Sequence, residues 1–495
     1  MIKHWRGEVH EILSIKQAYM ADHLAEGAGI ESYALMLRAG KALAVAALAA
    51  PHGGAIQVLC GPGANGGDGY VAAKILHEAG REVSVYSFGD VARLKGDVAR
   101  AHLDWHGAVI LATPDIINGD GILVDALFGA GLSRPLTGEA AALVQAINAS
   151  GAYVISADLP SGIFGDNGTV PDVHVCAQET VTFFRQKPAH VLQPSREFCG
   201  KITLADIGIP DQVLNEIQPQ CFENNPSLWP GLPPLPSVMA HKYSRGHVLV
   251  RCGGALQTGA ARLAARAALR TGAGLVTLLA DAGAAQVCAA HETEVMIASR
   301  EAENTLATML TNRRVSATVI GPAGGVDSAM REDVLTIRKH KCPLVLDADG
   351  ISAFADMPDR LFAVLDETCI LTPHEGEFAR LFPDLADRSH SKTERARAAA
   401  KRAGCVIVLK GPDSVIAAPT GRAIINTNAP PWLATAGSGD VLAGMIGALL
   451  GQGGAGFAAA ACGVWLHGAA GAACGRGLIA GDLTEALPEV LQTRL

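Results

Sequence analysis

Short apolar runs separated by amphipathic stretches fill the chain from Ala55 onward. In the first half the runs are Ile56–Cys60, Val83–Phe88, Val109–Ala112, Ile122–Leu127 and Tyr153–Ala157. Helical spacing lies between them, over Tyr70–Ala79 and Glu139–Asn148. Such alternation predicts a parallel sheet covered by helices on both faces. A helical pattern also precedes it, from Ser14 to Ala50, through Ala18, Met20, Leu24, Leu35, Met36, Leu37 and Ala42. That stretch is expected to lie away from the chemistry. The alternation fades after Gly208, and Asn215–Ser237 carries Pro219, Pro226, Pro230, Pro233, Pro234 and Pro236. Proline at this density reads as a linker. A second series starts at His247, with strands expected at His247–Cys252, Leu275–Ala280, Ala317–Gly321, Leu344–Asp347, Cys369–Thr372, Val406–Lys410 and Val415–Ala418. The fold class is therefore α/β, with domains at 1–220 and 238–495 joined by a linker at 221–237.

Composition narrows the function. A chain of 495 residues is too long for one core and fits two domains. A net charge of −8 supplies no basic stripe and argues against nucleic acid as main partner. Aromatics at 5% argue against a base-stacking platform, while 56 glycines suit nucleotide loops. None of the 11 cysteines forms a Cys-x-x-Cys pair, which removes support for zinc and redox motifs and favours reduced thiols. Met1–Arg6 is not followed by an apolar signal core. The apolar runs Val441–Leu450 and Ala455–Val464 are short enough to be buried helices. A cytoplasmic protein without a membrane partner is expected.

The candidate chemistry lies at strand ends, where ligands of such sheets bind. Gly61-Pro62-Gly63-Ala64-Asn65-Gly66-Gly67-Asp68-Gly69 follows the first strand directly. It lacks the Gly-Lys-Ser/Thr of a Walker loop and is no clean Gly-x-Gly-x-x-Gly. Alone it would equally be a tight turn in which Asn and Asp satisfy local backbone groups. Two further turns follow strands: Asp125-Ala126-Leu127-Phe128-Gly129 and Asp158-Leu159-Pro160-Ser161-Gly162. Asn65, Asp125 and Ser161 can supply hard oxygen ligands, without histidine or cysteine, which favours a hard cation.

This trio resembles the NAD(P)H-hydrate epimerase domain over about residues 10–215. The resemblance implies a Rossmann-like three-layer fold and K+ held by Asn65, Asp125 and Ser161. It implies substrate contacts from Ala64, Asn65, Gly66, Gly67 and Asp68, from Gly129, Ala130, Gly131, Leu132, Ser133, Arg134 and Pro135, and from Asp158, which is also the expected proton-transfer residue. The family usually has two consecutive asparagines; here the first is Ala64.

In the second half, Gly253-Gly254-Ala255, Gly321-Pro322-Ala323-Gly324-Gly325, Thr372-Pro373-His374-Glu375-Gly376-Glu377 and Lys410-Gly411-Pro412-Asp413-Ser414 each follow a strand. Thr435-Ala436-Gly437-Ser438-Gly439-Asp440 precedes an apolar helix, whose N-terminal amides and dipole suit a phosphate or a developing oxyanion. Singly, Gly437–Asp440 reads as a cap, His374 as a packed histidine and Lys410 as a solvated strand-end lysine.

Together, from about Ala240 to Leu495, these segments resemble the ribokinase-like superfamily. Asp347-Ala348-Asp349-Gly350, His374–Glu377 and Gly437–Gly444, with His241-Lys242 and Gly272–Thr277, resemble its ADP/ATP-dependent NAD(P)H-hydrate dehydratase branch. That resemblance places Ala260, Ala323, His374 and Asp440 on the hydrated nicotinamide. It places Lys410, Gly411, Pro412, Asp413, Ser414 and Gly439 on the adenine nucleotide. Two positions depart from the family pattern: Gly-Thr-Gly-Asp is Gly-Ser-Gly-Asp here, and Gly-Pro-Gly-Leu-Gly is Gly-Pro-Ala-Gly-Gly.

The combined reading is nicotinamide-nucleotide repair. The first half would interconvert the R and S hydrates of NADH and NADPH. The second would dehydrate the S form with ADP as phosphoryl donor and Mg2+ as cofactor, Asp440 acting as base. The expected small-molecule partners are NADHX, NADPHX and ADP, and a homo-oligomer is expected. A vitamin-precursor or sugar kinase and a nucleotide-sensing module without turnover remain the alternatives at this point.

Overall fold

A computed structural model describes residues 10–117, 119–300, 305–388 and 390–493. Met1–Arg6 therefore lies outside the described residues. The chain divides into two compact units, 1–221 and 222–495.

The first unit holds β1 (Ile56–Cys60), β2 (Val83–Ser87), β3 (Val109–Leu111), β4 (Ile122–Ala126), β5 (Tyr153–Ala157), β6 (Glu179–Phe183) and β7 (Lys201–Ala205). They form one sheet in the order β3-β2-β1-β4-β5-β6-β7, parallel throughout. This is the doubly wound Rossmann-like order, which reverses between β1 and β4, where ligands bind. Helices α1 (Ile15–Gly27), α2 (Ser32–Ala49), α3 (Ala64–Glu78), α4 (Gly96–Asp104) and α5 (Gly138–Ser150) accompany it. Apolar clusters form on both faces: Leu43, Val58, Tyr70 and Val124 in one, Leu59, Leu123, Leu143 and Val154 in the other.

Three expectations change here. The segment Ala64–Asp68 is not a free loop but the first turns of α3, which starts six residues before the expected Tyr70. Its glycines serve close packing: a Cβ on Gly66 would lie 1.8 Å from the Gly61 carbonyl oxygen, and one on Gly69 would lie 2.9 Å from Cys60 Sγ. The strands β6 and β7 were not expected, because their polar residues hide them. Glu179, Thr180 and Thr182 are buried on β6, with Glu179 satisfied by Thr203 Oγ1 at 2.6 Å and Lys201 Nζ at 3.3 Å. The third change concerns α1, which borders the active cavity described below.

Among the described residues the second sheet has ten strands. They are β8 (Cys221–Glu223), β9 (His247–Arg251), β10 (Leu275–Ala280), β11 (Met296–Ser299), β12 (Ala317–Ile320), β13 (Leu344–Leu346), β14 (Cys369–Leu371), β15 (Val406–Leu409), β16 (Val415–Ala417) and β17 (Ala423–Ile425). The order is β11-β10-β9-β12-β13-β14-β15-β16-β17-β8. Pairing is parallel from β11 to β15 and antiparallel through β15-β16-β17. The apolar helices Ser438–Gly451 and Gly456–Cys474 pack into its core. Gly456–Cys474 and α2 are long and apolar enough to cross a membrane, but 61% and 50% of their apolar windows are buried in protein.

The proline-rich segment is not a simple linker. Trp229 is 1% exposed within the second unit's core, and its Nε1 donates to Asn224 Oδ1 at 3.0 Å. Asn224 in turn donates to the Ala461 carbonyl at 2.8 Å. The expected linker 221–237 thus contributes structure to the second unit from Phe222 onward.

Candidate active sites

In the first unit a cavity of about 550 Å³ opens at the carboxyl ends of β1, β4, β5 and β6. Ala64, Asn65 and Asp68 of α3 line it, with Gly129, Ala130, Gly131 and Leu132, and with Asp158. Of the expected contact residues, Gly66 and Gly67 are buried within α3, and Ser133, Arg134 and Pro135 do not line the cavity. Tyr19 and Asp22 of α1 do line it, contrary to the expectation that Ser14–Ala50 stands apart.

Strand register brings the oxygen trio together. Asp125 pairs across β4–β5 with Ser156, and β5 runs on into the turn carrying Ser161. Ser161 Oγ donates to Asp125 Oδ1 at 2.6 Å, and Ser161 N and Ser156 Oγ donate to Oδ2, each at 2.9 Å. Asn65 donates its Nδ2 to the Ala157 carbonyl at 2.7 Å. Its Oδ1 lies beside Gly129, where a Cβ would approach to 2.2 Å. Burial pushes the Asp125 carboxyl up, and these hydrogen bonds only partly oppose it. Every one of these partners is neutral, so a buried carboxylate stands here without a counter-charge. All-oxygen donors and one formal charge fit a monovalent cation better than a divalent one, which needs several carboxylates. Among the described residues no group of three or more His, Cys, Asp or Glu could hold a metal.

Asp158 is differently placed. It sits just past β5 with φ 61°, in the left-handed region. Lys187 Nζ lies 2.5 Å from its Oδ1, and Thr182 Oγ1 donates to the same oxygen at 2.9 Å. Burial raises this carboxyl, but Lys187, His190 and these bonds outweigh burial and hold it below the ordinary range. Asp22, across the cavity, is pushed up to about 6, chiefly by burial, with Lys187 opposing and Asp158 and Glu26 adding to the rise. One cavity therefore holds carboxyls of opposed protonation tendency, the arrangement suited to acid–base work.

In the second unit the helix Ser438–Gly451 starts at Gly437, whose φ of 88° excludes a side chain at low energy. Its first turn carries Asp440 and leaves amides without intrahelical acceptors. Lys410, at the end of β15, donates to Asp347 Oδ1 at 2.7 Å and lies 3.9 Å from Glu377 Oε2. Burial pushes Asp440 up to about 6; Asp347 and Asp349 add to the rise and Lys410 opposes it.

The other expected residues fall around this cluster in different roles. His374 caps the helix Glu375–Leu381, its Nδ1 accepting from Gly376 N at 2.9 Å and Glu377 N at 3.2 Å. Ala323 has φ 48°, so the alanine that replaces the family's glycine stands where glycine is favoured. Its carbonyl packs on Gly253, two residues past the end of β9. Ala260 lies in the first turn of the helix Thr258–Arg270, whose Leu263 touches the Gly437 position. In the segment Lys410–Ser414, Asp413 is paired with Lys392 Nζ at 2.6 Å, and Ser414 Oγ bonds both polar groups of Gly411. The same Lys392 ammonium would stand 2.5 Å from a Cβ on Gly411. Gly439 faces Lys410 Nζ, 3.5 Å from where its Cβ would be.

Sequence reasoning missed Lys187, His190, Asp22 and Tyr19 in the first unit. In the second it quoted Asp347 and Glu377 within motifs without assigning them to the site. It also missed part-buried His467, which, like His190, is neutral and donates through Nε2 to a backbone carbonyl, here two residues before Asp440. His190 bonds Asp158 O at 2.7 Å and His467 bonds Ser438 O at 2.9 Å. Burial lowers both, to about 4. A lone histidine in a sequence carries no signal of this role.

Comparison with known proteins matches both units. Residues 32–189 match the family described as YjeF-related protein N-terminus, and residues 248–492 the family described as NAD(P)H-hydrate dehydratase. The bifunctional NAD(P)H-hydrate repair enzyme Nnr of Coxiella burnetii is 35% identical over 94% of this chain and 96% of its own length. The chain belongs to the bifunctional NAD(P)H-hydrate repair enzyme family. Repair enzymes of the same name from Gloeobacter violaceus and Moorella thermoacetica are 37% and 36% identical, covering 90% and 88% of this chain and 89% and 87% of their own lengths. A solved ADP/ATP-dependent NAD(P)H-hydrate dehydratase from Bacillus subtilis, co-crystallized with ATP/Mg2+, is 27% identical over 52% of this chain and 94% of its own, with a TM-score of 0.45. Both units are α/β, as the sequence pattern predicts, with the first in the Rossmann-like strand order.

Proposed function

We propose that the first unit epimerises R- and S-NAD(P)H hydrate and that the second dehydrates the S form with ADP, giving NAD(P)H, AMP and phosphate. The observation that carries the second activity is Asp440, set in a helix's first turn beside Lys410 and Asp347 with its carboxyl raised to about 6. A base of that strength takes a hydroxyl proton as phosphoryl transfer begins and holds it in a site of fixed amides. Water leaves poorly from C6; a phosphate ester leaves readily. Asp440 accepts the C6 hydroxyl proton, Lys410 offsets part of the cluster's negative charge, and the amides of Gly437–Gly439 face the transferring group. Asp347 would help to hold Mg2+, which when bound with a nucleotide would neutralise phosphate charge.

At the first site, epimerisation at the C6 carbinolamine needs the hydroxyl proton to leave as the C6–O bond becomes a carbonyl and the C6–N1 bond opens, N1 taking up a proton. The ring then recloses on the other face of the carbonyl and both proton transfers reverse. Asp158, kept ionised by Lys187, accepts the hydroxyl proton; Asp22, on the opposite wall, is the group best suited to return one. Asn65, Asp125 and Ser161 would hold K+, which supplies the counter-charge that buried Asp125 lacks. Asp68 and the backbone of Gly129–Leu132 border the substrate.

Pure S-NADHX and pure R-NADHX, each with ADP, ATP or neither, test this reading. NADH forms from S-NADHX only with nucleotide, and from R-NADHX only when both units act. Accumulation of a phosphorylated hydrate, without NADH, would instead mark the second unit as a kinase.

A further inference from the structure

The end of β5 is strained in a way the substrate contacts do not explain. Leu159 N donates to the Ala157 carbonyl at 2.7 Å, closing a three-residue turn with Asp158 at its centre and φ 61°. Such turns are rare and strained, and persist only where their surroundings hold them. The end of the neighbouring β6 repeats the form: Arg185 N donates to Phe183 O at 2.7 Å around Phe184, also at φ 61°. Each central carbonyl has a dedicated donor. Arg185 Nη1 holds Phe184 O at 2.9 Å, and His190 Nε2 holds Asp158 O at 2.7 Å.

His190 does more than hold one carbonyl. Its Nδ1 accepts from Lys187 N at 2.9 Å, within the single 3-10 turn Pro188–His190. A carbonyl oxygen only accepts and an amide only donates, so the ring is the neutral Nε2–H tautomer. One imidazole therefore ties the backbone of Asp158 to the backbone of Lys187. The Lys187 ammonium then reaches Asp158 Oδ1 at 2.5 Å, Thr182 Oγ1 at 3.0 Å and Phe183 O at 3.4 Å. Both donors to the carboxylate fall on Oδ1, which leaves Oδ2 for a proton from substrate.

We propose that His190 is a positioning residue for epimerisation, bridging the Lys187 amide and the Asp158 carbonyl so that the strained turn presents Asp158 to the cavity with its ammonium partner fixed. This rests on the reading of Asp158 as the proton acceptor. The charged and titratable groups facing Asp158 are Lys187, His190, Asp22, Asp68 and Tyr19. Lys187 and the Thr182 hydroxyl hold the carboxyl ionised, whereas Asp22 and Asp68, when ionised, face it with like charge. Loosening Lys187 leaves burial unopposed, and the acid limb of the rate then moves to higher pH.

The test uses the full chain as His190→Leu, His190→Gln and Asp158→Asn, with conversion of R-NADHX followed against pH and S-NADHX dehydration as the internal check of folding. His190→Leu should lower kcat about tenfold or more with KM changed less than about twofold, because geometry rather than affinity is lost. Its acid limb should rise by about one pH unit. His190→Gln keeps an acceptor and a donor and should recover most of kcat and the original limb. An unchanged kcat in His190→Leu, or a fall with the limb unmoved and no recovery in His190→Gln, overturns the proposal. If His190→Leu does not fold, His190→Asn decides: its shorter amide can accept from Lys187 N but does not reach Asp158 O, and an unshifted limb in that variant refutes the bridge. Asp158→Asn at the wild-type rate would refute the reading of Asp158 itself, whatever the His190 variants do.

Discussion

Gly129→Ala is the sharpest probe of the first site. A Cβ there would stand 2.2 Å from Asn65 Oδ1, 2.4 Å from Nδ2 and 2.5 Å from Cγ. Ordinary contact begins near 3.4 Å, so the Asn65 amide must move by about 1 Å. Gly129 does not have a left-handed φ, so the backbone accepts alanine and the steric term acts alone. The amide is tied to the Ala157 carbonyl by a 2.7 Å bond, which the shift breaks. A hydrogen bond of this kind contributes about 1 kcal/mol net, equivalent to about fivefold in an equilibrium constant. The half-saturating K+ concentration for epimerisation should therefore rise about fivefold, since Asn65 Oδ1 is displaced from the oxygen trio. The rate at saturating K+ should fall toward a hundredfold, the scale of a 1 Å misplacement in a fixed site. The assay follows R-NADHX conversion across a potassium titration, with sodium keeping ionic strength constant, and dehydration of S-NADHX by the same chain as reference. Epimerisation within twofold of wild type and with the same potassium dependence would refute both the placement of Asn65 and its ligand role.

Asp440→Asn should lower dehydration by about a hundredfold or more while epimerisation persists, since a positioned base supplies about that factor; coupled NADH formation from R- and S-NADHX measures both. Because Asp440 must be ionised to act and is raised to about 6, kcat/KM for dehydration should fall as pH drops through about 6. A limb near the ordinary carboxylate value would remove Asp440 as the titrating base. For stability the sign is reversed: with the folded value above the unfolded one, ionising Asp440 weakens the fold as pH rises through that interval. Expressed apart, residues 222–495 should fold and dehydrate S-NADHX, whereas 235–495 should be destabilised by about 3–5 kcal/mol from the loss of buried Trp229; urea unfolding of both fragments checks this.

Local pattern carried much of this protein. Continuous apolar runs placed β1, β4, β5, β9, β10 and β12, because a strand buried on both faces is apolar along its length. Glycine and carboxylate turns at the ends of β1, β4 and β5 marked Asn65, Asp125, Asp158 and Ser161, because strand ends of parallel sheets are where ligands bind, and the glycines opening an apolar helix marked Asp440. The same local rules hid β6, whose polar residues are buried and satisfied: Glu179 by Lys201 and Thr203, Thr180 by the Cys199 carbonyl, and Thr182 by Asp158 and Lys187. They read proline as a linker where Trp229 enters a core. They set α1 apart from the chemistry, though Tyr19 and Asp22 border the cavity.

What the amino-acid order determined alone was the kind of fold and the family, since periodicity and motif spacing are local properties. The tertiary structure decided which charges meet. Lys187 stands 29 residues beyond Asp158 and reaches it only because β6 pairs beside β5, with Ala157 opposite Val181. That contact, with the Thr182 hydroxyl beside it, outweighs the effect of burial on Asp158. Protonation depends on distance and desolvation in three dimensions, and neither is written in the spacing of residues along a chain.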